Sequence, residues 1–146
     1  MGTVEENKEV VRRYFELYNQ QDLDACDEIT DWFTEDYTRE LDRQVNIIMF
    51  SAFPDLKYTV VDMIAEEDRV AIVRIMSGTH TGEPFRGIPA TGKKIEEKAV
   101  IIVRIVDNKF VEGSYISDPS GFWQPLGVLP SFEEALQAYK EANNLE

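Results

Sequence analysis

Two side chains in this sequence are suited to moving a proton near neutral pH. One is the single histidine, His80. The other is an aspartate, Asp118, that closes the apolar segment Ile116-Ser117-Asp118. Imidazole titrates close to neutrality by nature, and a carboxyl reaches the same range when it is partly withdrawn from water. Strand alternation puts Glu112, Ser114, Ile116 and Asp118 on one face if no bulge intervenes. Each residue also has a plainer reading. Asp118-Pro119-Ser120-Gly121 has the composition of a type I turn, and His80 could be a strand-end histidine satisfied by a neighbouring carbonyl. Arg74 and Arg104 interrupt apolar strands. Each needs an acid such as Glu96 or Glu112 as a brace, or else serves to stabilise an anion or enolate.

These groups would work at the edge of an apolar pocket. Trp32, Phe33, Tyr37, Phe122 and Trp123 are candidates for its wall, together with Tyr14 and Tyr18 of the first helix and Ser114 and Ile116 of the last strand. Cys26 reads as a small buried hydrophobe rather than a nucleophile. The sequence has no Gly-x-Ser-x-Gly elbow, phosphate loop, Gly-x-Gly-x-x-Gly fingerprint or His-rich metal spacing, so neither a metal nor a nucleotide cofactor is expected.

The elements that must position these residues change period once. Thr3 and Glu6 have capping-box spacing, and Val10, Val11, Tyr14, Phe15 and Tyr18 follow at helical intervals to about Gln20. Asp22 caps a second short helix with Leu23, Cys26, Ile29 and Phe33 on its inner stripe. A third runs through Leu41, Val45, Ile48, Met49 and Ala52, and Pro54 stops it. Beyond Pro54 the segments 57–65, 69–80, 94–106 and 109–117 read as strands, with Glu66-Glu67-Asp68 and Asp107-Asn108 as turns. Residues 81–92 form a long excursion with room for one short edge strand. Ser131 and Glu134 repeat the capping box before a last helix, about 131–143, with Phe132, Ala135, Leu136 and Tyr139 as its stripe. Helices first and strands later give an α+β class, a curved antiparallel sheet with helices on one face. A length of 146 residues predicts one domain. With 15 Lys+Arg against 28 Asp+Glu the net charge is -13, which disfavours nucleic acid and anionic membranes as partners. No span or signal-peptide pattern is evident, so a cytoplasmic protein is expected.

The sequence resembles the SnoaL-like polyketide cyclases, also described as predicted ester cyclases, of the nuclear-transport-factor-2-like superfamily. The resemblance rests on the first helix, Asp22-Leu23-Asp24, Phe53-Pro54-Asp55-Leu56, Gly78-Thr79-His80-Thr81-Gly82, Gly87-Ile88-Pro89-Ala90-Thr91-Gly92-Lys93, Glu112, Asp118 and Gln124-Pro125-Leu126-Gly127. It implies a cone-shaped, strongly curved sheet around an apolar pocket, and a homodimer formed through the sheet. It also implies that the acid matching Asp118 is the general acid/base of a cofactor-independent aldol closure. The chain departs from the pattern twice: Glu112-Gly113-Ser114 stands where members often carry Glu-His-Trp, and Tyr37-Thr38-Arg39-Glu40 where they often have Tyr-x-x-His. His80 is left as the only imidazole, and space opens at Ser114. The expected activity is aldol or isomerase chemistry on a small apolar carbonyl compound, with Asp118 moving the proton and His80 holding the oxyanion. The alternative is a non-catalytic small-molecule-binding or dimerisation module of the same fold.

Overall fold

A computed structural model describes residues 2–145. Three helices come first: α1 (Val4–Asn19), α2 (Leu23–Ile29) and α3 (Arg39–Ala52). Each begins at a residue whose side chain accepts from a first-turn amide: Thr3 from Glu6, Asp22 from Ala25, Thr38 from Leu41. Helix α2 stops at Ile29, so Phe33 does not lie on its stripe as the spacing suggested. Four strands follow, β1 (Lys57–Glu66), β2 (Arg69–Thr79), β3 (Lys94–Val106) and β4 (Lys109–Asp118). They pair antiparallel in the order β1-β2-β3-β4, the arrangement that successive hairpins produce. The excursion over 81–92 holds no strand, only a bridge between Phe85 and Ile88. A one-turn helix that the sequence reading missed, α4 (Ser120–Trp123), precedes α5 (Phe132–Ala142).

One face of the sheet carries the core. Val70, Ile72 and Met76 of β2 alternate inward with Ile95, Ala99, Val103 and Ile105 of β3, and α1 adds Val11, Phe15 and Tyr18. Helix α4 is seated on β3 by Gly121, where any Cβ would overlap the Glu96 carbonyl. Gly121→Ala is therefore expected to lift α4 and cost roughly 1–3 kcal/mol, the usual range for overpacking. Urea melting checks this, and a variant as stable as the parent would show that α4 is not anchored there. Helix α5 has its predicted capping box but buries none of its residues. Phe132, Leu136 and Tyr139 of its expected stripe are exposed.

A bulge in β4 decides which residues reach the core. Arg104 pairs with Glu112 and Ile105 with Phe110, leaving Val111 without a partner. A bulge puts two residues against one and breaks strict alternation. Phe110 is thus buried, and beyond the bulge the odd-numbered residues Gly113 and Tyr115 turn inward. Glu112, Ile116 and Asp118 keep a common face, but it is the outer one, while Ser114 still reaches the cavity between helices and sheet. Ile116 is 78% exposed there.

Candidate active site

Between the helices and the inner sheet face lies a cavity of about 700 Å³. Tyr14, Tyr18, Trp32, Tyr37, Phe122 and Trp123 all contribute to its lining, and so does Ser114. Phe33 and Ile116 do not line it. Phe33 instead stacks under Arg39, whose guanidinium carbon is 4.5 Å from the ring centroid. Trp32 is placed by the chain after α2, where Thr30 bridges Phe110 and the Asp31 amide donates to the Phe110 carbonyl at 2.7 Å. Its indole packs on Gly113; a Cβ at that position would stand 3.1 Å from Trp32 Cε3. The missing side chain at Gly113 of the Glu-Gly-Ser departure therefore makes room for Trp32.

Two polar networks face the cavity. On the sheet side Arg74, only 4% exposed, donates from Nη1 to Glu97 Oε1 at 3.3 Å and from Nη2 to the Tyr115 hydroxyl at 3.3 Å, while Tyr115 donates to the same Glu97 oxygen at 2.5 Å. The Tyr58 ring lies 4.5 Å from the guanidinium carbon. The brace expected of Arg74 exists, and its acid is Glu97, which has inward parity. Arg104 does take Glu112 at 2.9 Å, and Asp68 at 2.8 Å, on the outer face. Burial raises the Tyr115 phenol, and the Glu97 contact adds to this, so it stays a proton donor. On the helix side Asp42 accepts from the Tyr37 hydroxyl at 2.6 Å and from Asn46 Nδ2 at 3.1 Å. The Asn46 carbonyl oxygen accepts from Tyr18 at 2.5 Å. Partial burial lifts the Asp42 carboxyl above its ordinary value, against the downward pull of the Tyr37 hydroxyl, with Asp27 nearby adding to the rise. Trp32 Nε1 and Arg74 Nε are buried without hydrogen-bond partners among the described residues.

The two residues singled out for proton transfer lie elsewhere. Asp118 faces outward beside Lys98, and its Oδ1 accepts from the Ser120 amide at 3.0 Å and the Ser120 hydroxyl at 2.7 Å. Those Ser120 donors hold its carboxyl below the usual range. It acts as a turn residue, as the plainer reading had it, and its displacement from the cavity follows from the bulge at Val111. His80 is fully buried yet does not line the cavity. Its Nδ1 accepts from the Thr91 amide at 3.4 Å, which leaves the ring proton on Nε2, 3.3 Å from the Glu83 carbonyl. With its ring 5.1 Å from that of Phe53, His80 ties down the excursion between β2 and β3. Cys26 is buried and free, and desolvation pushes its thiol up to about 12, which suits an inert residue. Among the described residues no three His, Cys, Asp or Glu side chains gather as metal ligands would.

The SnoaL-like polyketide cyclase model matches residues 8–126. The chain belongs to the SnoaL-like polyketide cyclase family. No curated protein matches it. Among solved structures it is similar to AclR, a candidate hydroxylase from Streptomyces galilaeus, with 26% identity, a TM-score of 0.79, and 97% of this chain and 94% of that one covered. IdmH, a candidate polyketide cyclase from Streptomyces antibioticus, is 26% identical with a TM-score of 0.69, covering 84% and 99%. A SnoaL-like protein from Jannaschia sp. CCS1 shares the fold at 22% identity and a TM-score of 0.70, covering 89% and 98%. These SnoaL-like folds match the antiparallel four-stranded α+β arrangement described above. Their names span candidate hydroxylase and candidate cyclase, and a shared fold does not by itself fix the chemistry. Asp42, Arg74, Glu97 and Tyr115 are the polar groups that sequence reasoning did not assign to the pocket together. Arg74 alone gave a signal, as a charge inside an apolar strand.

Proposed function

We propose that this SnoaL-like protein is a cofactor-independent enzyme acting on a small, largely apolar carbonyl compound by aldol or isomerase chemistry, with Asp42 in place of Asp118 as the group that moves the proton. The observation that carries this is Asp42 itself, a carboxyl on the cavity wall with its pKa raised by burial. Such a group exchanges protons near neutral pH more readily than an ordinary aspartate. In this reading Asp42 takes a proton from the carbon beside the carbonyl. The Arg74 guanidinium, fixed by Glu97 and Tyr115, stabilises the enolate oxygen. The proton then returns to a different carbon, or the enolate attacks a second carbonyl of the same molecule and the alkoxide so formed takes the proton back from Asp42. The test is solvent-deuterium exchange at the α-carbons of aryl ketones such as 2-tetralone, followed by NMR. Exchange faster than in matched buffer is expected; its absence across a series of aryl ketones sinks the reading.

A binding module remains a second reading, favoured by one observation: neither Asp118 nor His80 borders the cavity. It predicts ligands that raise Tm and are never turned over.

We also propose that the protein pairs with a second copy through the outer sheet face. Ile64, Val73, Val100, Ile102 and Ile116 form an apolar band, with the exposed Asp62 at its β1 end opposite Val73. It is flanked by the row Glu66, Arg69, Arg104, Glu112 and by Lys98 opposite Asp118. Each flank carries both signs, so a copy of the same face can meet it with opposite charges. No helix among the described residues is long and apolar enough to cross a membrane, and this apolar face fits a partner protein. Sedimentation should give a dimer that Ile116→Lys converts to monomer. A wild-type monomer at 100 μM or so, about a hundred times a 1 μM Kd, contradicts the pairing.

A further inference from the structure

Arg86 sits on the cavity's exposed side and lines it. Its guanidinium carbon lies 5.4 Å from the Trp123 ring centroid and 5.8 Å from that of Phe85. Among the described residues no carboxylate lies within ion-pair distance of it, in a chain with 28 acids. Arg74, the other arginine of the cavity, is already paired with Glu97. Arg86 is thus the uncompensated cation of the lining, set against two aromatic rings.

Its backbone points the same way. Phe85 and Ile88 exchange two amide–carbonyl bonds of 2.9 Å across a two-residue turn in which Arg86 has φ 48° and Gly87 φ 80°. Two consecutive left-handed residues define a turn that favours Asn or Asp followed by Gly. The β3–β4 hairpin follows that preference at its first position with Asp107, and Asn108 takes the second, at φ 50° and 59°. Arginine gains nothing locally from this conformation, and strained positions of this kind concentrate where a side chain is needed for a ligand.

We propose that Arg86 receives a carboxylate carried at the outer end of the cavity ligand, so that the preferred ligands are apolar aromatic acids. This rests on the reading of the cavity as a site for small apolar carbonyl compounds. The aromatic body occupies the wall of Phe85, Phe122 and Trp123, while the acid stays at the solvent side and pairs with Arg86. The pairing opposes the repulsion expected from a chain of net charge -13. A preference for the acid would therefore arise locally and would weaken as salt is added.

The test titrates the protein with 1-naphthylacetate and with its methyl ester at low salt, following tryptophan fluorescence. Wild type is expected to bind the acid about tenfold more tightly than the ester, in line with a charge-assisted contact. Arg86→Asn should abolish that preference, so that acid and ester bind alike, and raise Tm, because Asn suits the turn. If wild type binds the ester and shows no preference for the acid, this proposal fails and the cavity reading stands. If neither probe binds, both fail. An Arg86→Asn protein that keeps the preference, or melts below wild type, also overturns it.

Discussion

Asp42→Asn is expected to lower ketone exchange by about 10²- to 10⁴-fold, the usual contribution of a positioned acid/base, while Asp118→Asn leaves it unchanged. The contrast follows from where each carboxyl stands. Asp42 borders the cavity and is partly withdrawn from water; Asp118 faces outward and is held by Ser120. An asparagine at 118 still offers a carbonyl oxygen to the Ser120 amide and hydroxyl, so the turn survives. At 42 an asparagine keeps one acceptor but turns its amide toward one of the two donors, Tyr37 or Asn46, for about 1 kcal/mol of stability. Loss of exchange in a protein that still melts cooperatively would locate the chemistry. An inactive Asp118→Asn protein with an active Asp42→Asn one would return the role to the outer face and refute the cavity mechanism.

The raised Asp42 pKa also sets a pH signature. If Asp42 is the base, exchange should rise through an inflection above the ordinary aspartate value of about 3.9, and Asp42→Asn should remove that limb. Stability moves in the opposite sense. Because the folded-state value lies above the unfolded one, folded protein holds the proton more tightly. The stabilisation this confers is full below the unfolded value and is lost as pH rises through the folded one. Relative to Asp42→Asn, wild type should therefore lose stability with rising pH across that window.

The elements were legible because their signals are local. Capping residues, the period change after Pro54 and the β-branched runs each act over a few residues, and Thr3, Asp22 and Ser131 cap the helices assigned to them. The site was legible only in part. The aromatic lining emerged from composition and stripe. The polar assignments failed at one residue, Val111, because a bulge makes no distinctive pattern and yet inverts every position after it. Asp118 and Ile116 went outward for that reason, and Tyr115 came in. His80 failed differently: its partners, Thr91 and Glu83, come from an excursion whose path short-range pattern does not specify. Asp42 gave no signal because its pKa depends on the helix face toward the cavity and on Asp27, Tyr37 and Asn46.

Glu97→Leu is expected to cost about 3 kcal/mol, while the double variant Arg74→Met/Glu97→Leu recovers most of it. Removing one member of a buried pair leaves an uncompensated charge, typically at 3–5 kcal/mol, whereas replacing both with apolar residues is often neutral. The side chains are 5% and 11% exposed, so solvent screens the pair little. The lower end applies because the Tyr115 oxygen still accepts from Arg74 and the cavity admits water. Urea denaturation of the two singles and the double forms a complete cycle. A single-variant cost under about 1 kcal/mol would mean that the pair is screened and that Arg74 is not held as a pointed charge. If the double variant is as stable as wild type but inactive toward ketones, folding does not require the pair. A buried arginine that the fold can do without is then kept for what it does to a ligand, and the enolate is the one species in the proposed reaction whose charge calls for it.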